Sequence, residues 1–256
     1  MQHTFTLAAW NFRLARRYLL ALWGIFAAQQ AAVILWRAAQ PGAAGLGLAS
    51  HYYDTMQIFV YLGFYLLTAL AAGMATHNSR RARSGYTWAT LPGTPGQKFA
   101  AKAITIAAAE LVFAAWQLVW YIVEFYPVTA LEGWRRRQLY GAVLPAANLY
   151  EQVVANNLFA RLLPRRPAQI VILLGILALS AAMLAALDTV RGWRKLPVFA
   201  SGLFCAWVCF GIVSIEQHLE WLLDEPRYAF RIAAAAVLAV LTVWWAVRSI
   251  RRGEAV

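Results

Sequence analysis

Residues Ala103–Phe125 read AITIAAAELVFAAWQLVWYIVEF, and their only formal charges are Glu110 and Glu124. A bilayer core about 30 Å thick takes about 20 helical residues, so this stretch has the length of one crossing. It must be helical, because lipid offers no partner to unpaired backbone groups. The alternating segments of a membrane β-barrel are not visible anywhere in the chain.

Five other stretches have the same character: Tyr18–Trp36, Ile58–Ala75, Ile170–Leu187, Leu196–Ile215 and Tyr228–Val247. Together they account for a composition that is 62% hydrophobic and 13% charged, with a mean hydropathy of +0.55. Soluble domains run nearer one quarter charged, and one water-soluble core could not hide this much apolar surface. The net charge of +12 comes from Lys and Arg at the ends of apolar runs, a membrane signature rather than a nucleic-acid patch. The expected fold is an all-α integral membrane domain of six spans covering residues 1–256. Nothing outside the membrane is long enough for a separate soluble domain, and no internal repeat is apparent.

Charge counting sets the expected orientation. With the N-terminus inside, residues 1–17, 76–102, 188–195 and 248–256 are cytoplasmic and hold 14 basic residues against two acids, Asp188 and Glu254. The outer pieces, counting Glu124 and Arg231 at the outer ends of their spans, hold nine basic residues and eight acids, so both termini are expected in the cytoplasm. Trp36 at an outer end, with Trp244 and Trp245 at an inner end, suits aromatic anchoring. The amphipathic, basic start of the chain, with Arg13, Arg16 and Arg17, is expected as an interfacial helix before the first span. A cleavable signal is the alternative there, but no small-residue cleavage site follows.

The connection Pro127–Gln169 carries six arginines and is expected outside, a placement the charge rule tolerates in long loops. Within it, apolar residues at helical spacing point to an amphipathic helix from about Ala146 to Leu163 on the membrane surface. Arg135, Arg136, Arg137, Arg161, Arg165 and Arg166 then form an outer basic surface. They either anchor lipid headgroups or attract an acidic or amphiphilic substrate. The acidic stretch Glu216–Arg227 could pair with it.

Glu110, Gln117 and Glu124 are spaced seven apart and lie on one helix face. Glu110 stands eight residues past Lys102, about 12 Å along the helix. An ionised carboxylate there is costly unless paired, protonated or facing water. The stripe therefore faces protein, as a substrate path or as a helix contact, with Gln29 and Gln30 as candidate partners. The four histidines are scattered and no nucleophile has a nearby base, so no enzyme site or metal set is expected. Cys205 and Cys209, four apart in an apolar run, are expected as packing residues. Gly93–Lys98 lacks the spacing of a phosphate-binding loop, and Phe99 stands where a hydroxyl would be needed, so no cofactor is expected in this chain.

The connection between the second and third stretches reads SRRARSGYTWATLPGTPGQKFAAK over Ser79–Lys102. A short helix, Arg83 to Leu91, is expected to end at a Leu-Pro turn, with a second helix starting after Pro95. This segment resembles the permease subunits of type-2 ABC exporters, where a Gly-Thr, an apolar turn, a Leu-Pro-x-Ser/Thr and a later Lys recur. The matching positions are Gly85, Leu91-Pro92, Thr94 and Lys102. The resemblance implies a coupling segment to a separate ATPase subunit comprising Arg83, Gly85, Tyr86, Trp88, Leu91 and Pro92, with Tyr86, Trp88 and Leu91 as the docking side chains.

It further implies a pair of permease subunits, identical or paralogous, and two ATPase subunits that carry ATP and Mg. The expected setting is a bacterial cytoplasmic membrane and the expected cargo a hydrophobic or amphiphilic peptide, drug or lipid. Two features depart from the family: Arg80, Arg81 and Arg83 stand where it often has an acid, and the long outer connection follows the third span rather than the fifth. A solvated basic connector is the plain alternative for the loop. For the chain, the rivals are a non-transporting membrane partner or sensor, and an intramembrane lipid-modifying enzyme using Glu110.

Overall fold

A computed structural model describes residues 2–40, 42, 46–74, 91–141, 148–156, 159, 167–190, 192–214 and 226–252. All regular structure among them is helical: α1 (Gln2–Ala38), α2 (Leu48–Asp54), α3 (Gln57–Met74), α4 (Pro95–Tyr140), α5 (Leu149–Ala155), α6 (Pro167–Thr189), α7 (Lys195–Ser214) and α8 (Pro226–Arg251), with a 3-10 turn at Gly192–Arg194. Among the described residues, α1, α4, α6 and α8 supply four helices long and apolar enough to cross a membrane. The pair α2 and α3, bent by 75°, makes up to five. Six spans were expected; the stretch expected as the fifth is occupied by α7, of 20 residues.

Many large apolar side chains on these helices face outward, among them Phe59, Leu62 and Leu66 on α3, Val171 on α6 and Val240 on α8. A soluble monomer rarely carries so much contiguous apolar surface. This is a membrane-embedded protein. Trp36 and Trp244 are 65% and 57% exposed, as interfacial anchors require.

Three expectations about element boundaries change. The basic start of the chain is not a separate interfacial helix, because α1 runs without a break from Gln2 to Ala38. The third stretch does not stop at Phe125: α4 continues through Pro127 to Tyr140, a helix of 46 residues. Pro127 has no N–H to give the carbonyl of Val123, yet the buried positions Tyr121, Glu124, Val128 and Glu132 keep one face of the helix packed across it. Tertiary packing outweighs one lost bond. The surface helix expected over Ala146–Leu163 is described only as α5, closed at its start by a capping box of Asn148 and Glu151 and ending before Asn156, whose backbone is extended.

The start of α4 is where the sequence placed it. Thr94 and Gln97 form a reciprocal cap: the Thr94 N–H donates to Gln97 Oε1 at 2.9 Å, and the Gln97 N–H donates to Thr94 Oγ1 at 3.3 Å. Pro95 takes the first helical position, where its missing N–H costs nothing.

By internal contacts the chain groups into two compact units. The first comprises Met1–Arg17, Ala69–Glu110 and Val171–Val256; the second comprises Tyr18–Thr68 and Leu111–Ile170. In the first, small side chains bring α1 and α4 close: the single Thr105 hydroxyl proton is shared between Ala101 O (2.8 Å) on its own helix and Ala8 O (3.2 Å) on α1. Its other core joins Met183, Cys205, Val208 and Ala235. Cys205 and Cys209 are both free thiols, and Cys205 Sγ lies 3.6 Å from Ala235 O. In the second unit Phe26 and Tyr61 pack their rings on Phe113, with centroids 5.2 Å apart in each pair. The Trp23 indole donates to Thr68 Oγ1 at 3.2 Å.

Candidate functional site

The polar face of α4 is buried along its length. Glu110 and Gln117 are 0% exposed and Glu124 is 4% exposed. Each is held within its own unit.

In the first unit, Glu110 Oε2 accepts from Ser180 on α6 at 3.0 Å, and Lys102 pairs with Asp188. The partners move eight residues forward on α4 and eight back on α6, so the two helices run antiparallel. Both contacts recur at the same rise of about 12 Å. Lys102 and Asp188 have side chains only 6% and 12% exposed, which makes this a buried ion pair.

In the second unit, the Tyr52 hydroxyl is a hub. It donates to Glu124 Oε2 at 2.7 Å and receives the side-chain amides of Gln30 and, at 3.4 Å, Gln117. The stripe thus extends from α4 onto α1 and α2, with Gln30 serving it through Tyr52. Gln29 is half-buried, and its Oε1 makes no hydrogen bond. The rings of Tyr52, Tyr121 and Phe159 stack edge to face around the hub, with centroids 4.9 and 4.7 Å apart.

One turn pair further along α4, Glu132 clasps α2. Its Oε1 accepts from the Gly47 N–H at 3.1 Å and lies 2.6 Å from His51 Nε2, while its Oε2 stands 3.6 Å from Arg136. Gln152 completes the clasp: its Oε1 accepts from the Ala49 N–H at 2.9 Å, and its backbone carbonyl accepts from the Tyr121 hydroxyl at 2.9 Å. At the far end of α2, Asp54 pairs with Arg37 of α1 at 2.8 Å. At the start of this seven-residue helix, the Gly47 and Ala49 N–H groups are thus met by side chains from elsewhere in the unit.

Of the residues the sequence singled out for coupling, Arg83, Gly85, Tyr86 and Trp88 lie outside the described residues. Leu91 is half-buried against Leu7, Ala8 and Ala101, and Pro92 is exposed. Of the expected basic surface, Arg161, Arg165 and Arg166 lie outside the described residues. Arg137 is exposed, Arg135 is half-buried, and Arg136 turns inward to Glu132.

Sequence reasoning missed His51, Tyr52 and Glu132. Glu132 was within reach, since it continues the stripe eight residues past Glu124, but Pro127 was read as the end of the helix. His51 and Tyr52 carried no signal, because their short helix sits between spans and shows no distinctive period. The arrangement presents buried hydrogen-bond acceptors, several of them without a partner. Among the described residues no group of three His, Cys, Asp or Glu could hold a metal. Comparisons with protein-family models, with curated proteins and with solved structures find no match.

Proposed function

We propose that this chain is the membrane-spanning subunit of an ATP-driven exporter, working with a separate ATPase subunit and a second permease copy or paralogue. The observation that carries the reading is the join at Leu91–Thr94. The segment that resembles the coupling region of type-2 ABC permeases runs directly into a helix start fixed by the Thr94–Gln97 cap and Pro95. A push on a segment tied this firmly to α4 reaches the helix instead of dissipating in a loose loop. The buried Lys102–Asp188 and Glu110–Ser180 contacts then carry it to α6.

In this reading the chain lies in a bacterial cytoplasmic membrane with both termini in the cytoplasm, following its charge asymmetry. ATP and Mg act on the partner. The cargo is hydrophobic or amphiphilic, in keeping with the basic run Arg135–Arg137 next to apolar surface. ATP binding shifts the chain between inward- and outward-open states, and cargo must prefer one of them to be moved.

The test is purification of the tagged chain from its native membrane, a search for a co-purifying ATPase subunit, and vesicle reconstitution of the two. Vanadate-sensitive ATP hydrolysis that follows the chain, and its loss in Tyr86→Asp with Trp88→Asp, is the expected result. A chain that purifies without an ATPase and is indifferent to both substitutions is not such a permease. Product formed from lipid by the chain alone would instead make it an enzyme.

A further inference from the structure

The hub at Tyr52 leaves three buried oxygen acceptors unused. Tyr52 has one hydroxyl proton and gives it to Glu124, so Gln30 and Gln117 must both present N–H to that oxygen. Their own Oε1 atoms are thereby turned away, and neither has a hydrogen-bond partner. Glu124 Oε1 has none either; the Trp120 indole lies toward the carboxylate without reaching hydrogen-bond geometry. Gln30 and Gln117 are 0% exposed and Glu124 is 4% exposed. Each orphan oxygen is one amide or carboxylate width from a contact with the same hydroxyl.

The charge is unbalanced as well. Among the described residues no basic group forms an ion pair with Glu124, while His51 and Arg136 serve Glu132 and Arg37 serves Asp54. An ionised carboxylate in a membrane interior without a counter-charge is costly. A proton on Glu124 would remove the charge but could satisfy one glutamine oxygen at most, leaving the other stranded. A single positive ion held between the three side chains would meet all three. Oxygen-only donors suit hard cations, and one carboxylate with two neutral amides gives a formal charge of −1, too little for calcium or magnesium, which draw on more carboxylates or on phosphates.

We propose that Gln30, Gln117 and Glu124, gathered by the Tyr52 hydroxyl, form a buried binding site for one monovalent alkali cation. This site does not depend on the exporter reading, because it is read from binding and not from transport.

The test uses the full chain in lipid nanodiscs. Its unfolding midpoint is followed by tryptophan fluorescence while sodium or potassium replaces N-methylglucamine at constant ionic strength. One of the two ions is expected to raise the midpoint saturably, since a ligand that binds only the folded state stabilises it by mass action. Glu124→Gln, which keeps the shape and removes the charge, is expected to weaken half-saturation at least tenfold. Gln117→Leu, which removes one neutral oxygen, is expected to weaken it by a smaller factor.

Equal midpoints in sodium, potassium and N-methylglucamine would overturn the proposal. So would a response that Glu124→Gln and Gln117→Leu both leave unchanged. A midpoint that follows pH but neither ion would make Glu124 a proton holder and also overturn it. Should Glu124→Gln fail to fold, the Gln117→Leu titration decides alone.

Discussion

Gly47 shows how much a single position contributes. Its φ of 79° and ψ of 159° belong to a region open essentially to glycine alone. A Cβ there would stand 2.7 Å from the Gln152 side chain that caps Ala49. Gly47→Ala is therefore expected to cost about 1–3 kcal/mol in backbone strain alone, seen as a lower unfolding midpoint in detergent. Glu132 invites a graded comparison. Glu132→Gln keeps an oxygen for the Gly47 N–H, whereas Glu132→Leu strands both that N–H and His51. The leucine variant should be the less stable by about 1–3 kcal/mol, the usual penalty of an orphaned buried group; equal midpoints would mean that the clasp contributes nothing. Glycine 47 was not legible in the sequence, because the need for it arises only when Gln152, more than a hundred positions away, folds onto the same turn. The Glu110–Gln117–Glu124 stripe was legible, because helical spacing is local.

At the scale of elements, α4 holds the main lesson. Its beginning was readable from Thr94, Pro95 and Gln97, whose capping chemistry lies within four residues. Its end was not, because proline is a helix breaker by local preference and only the packed face of Tyr121, Glu124, Val128 and Glu132 overrides that preference. The antiparallel register of α4 and α6 was equally hidden, since nothing local says that Lys102 meets Asp188. That register predicts a characteristic mutant pattern. Lys102→Met or Asp188→Leu alone leaves a buried charge unmatched and is expected to cost about 3–5 kcal/mol. The double variant should recover most of the loss, because it removes both charges. Additive losses in the double-mutant cycle would show that the pair does not couple.

For the whole molecule, hydropathy and charge placement were enough to read a membrane-embedded helical chain, since both depend on composition along a single line. The number of crossings was harder. A bend of 75° between α2 and α3 is set by Met56, whose φ of 52° no pattern announced. If the charge asymmetry governs insertion, reporters fused after Trp10 and after Arg252 should both report the cytoplasm. A reporter in the residues between Tyr140 and Asn148 should report the opposite side, and opposite answers from the two ends would require an odd number of crossings.

The clasp on α2 has a consequence for motion. Seven residues are too few for a helix to persist alone, for which about 12–15 are needed even in favourable sequences. Helix α2 therefore lasts only as long as its partners hold it, Glu132, Gln152 and Arg37 at its ends and the core around Leu48 and Tyr52, and it should open as one piece. In hydrogen exchange the amides of Leu48–Asp54 would then trade protons together, sooner than those of α4, with Gly47 and Ala49 timing the event. The shortest helix around the Tyr52 hub would set how often water reaches it.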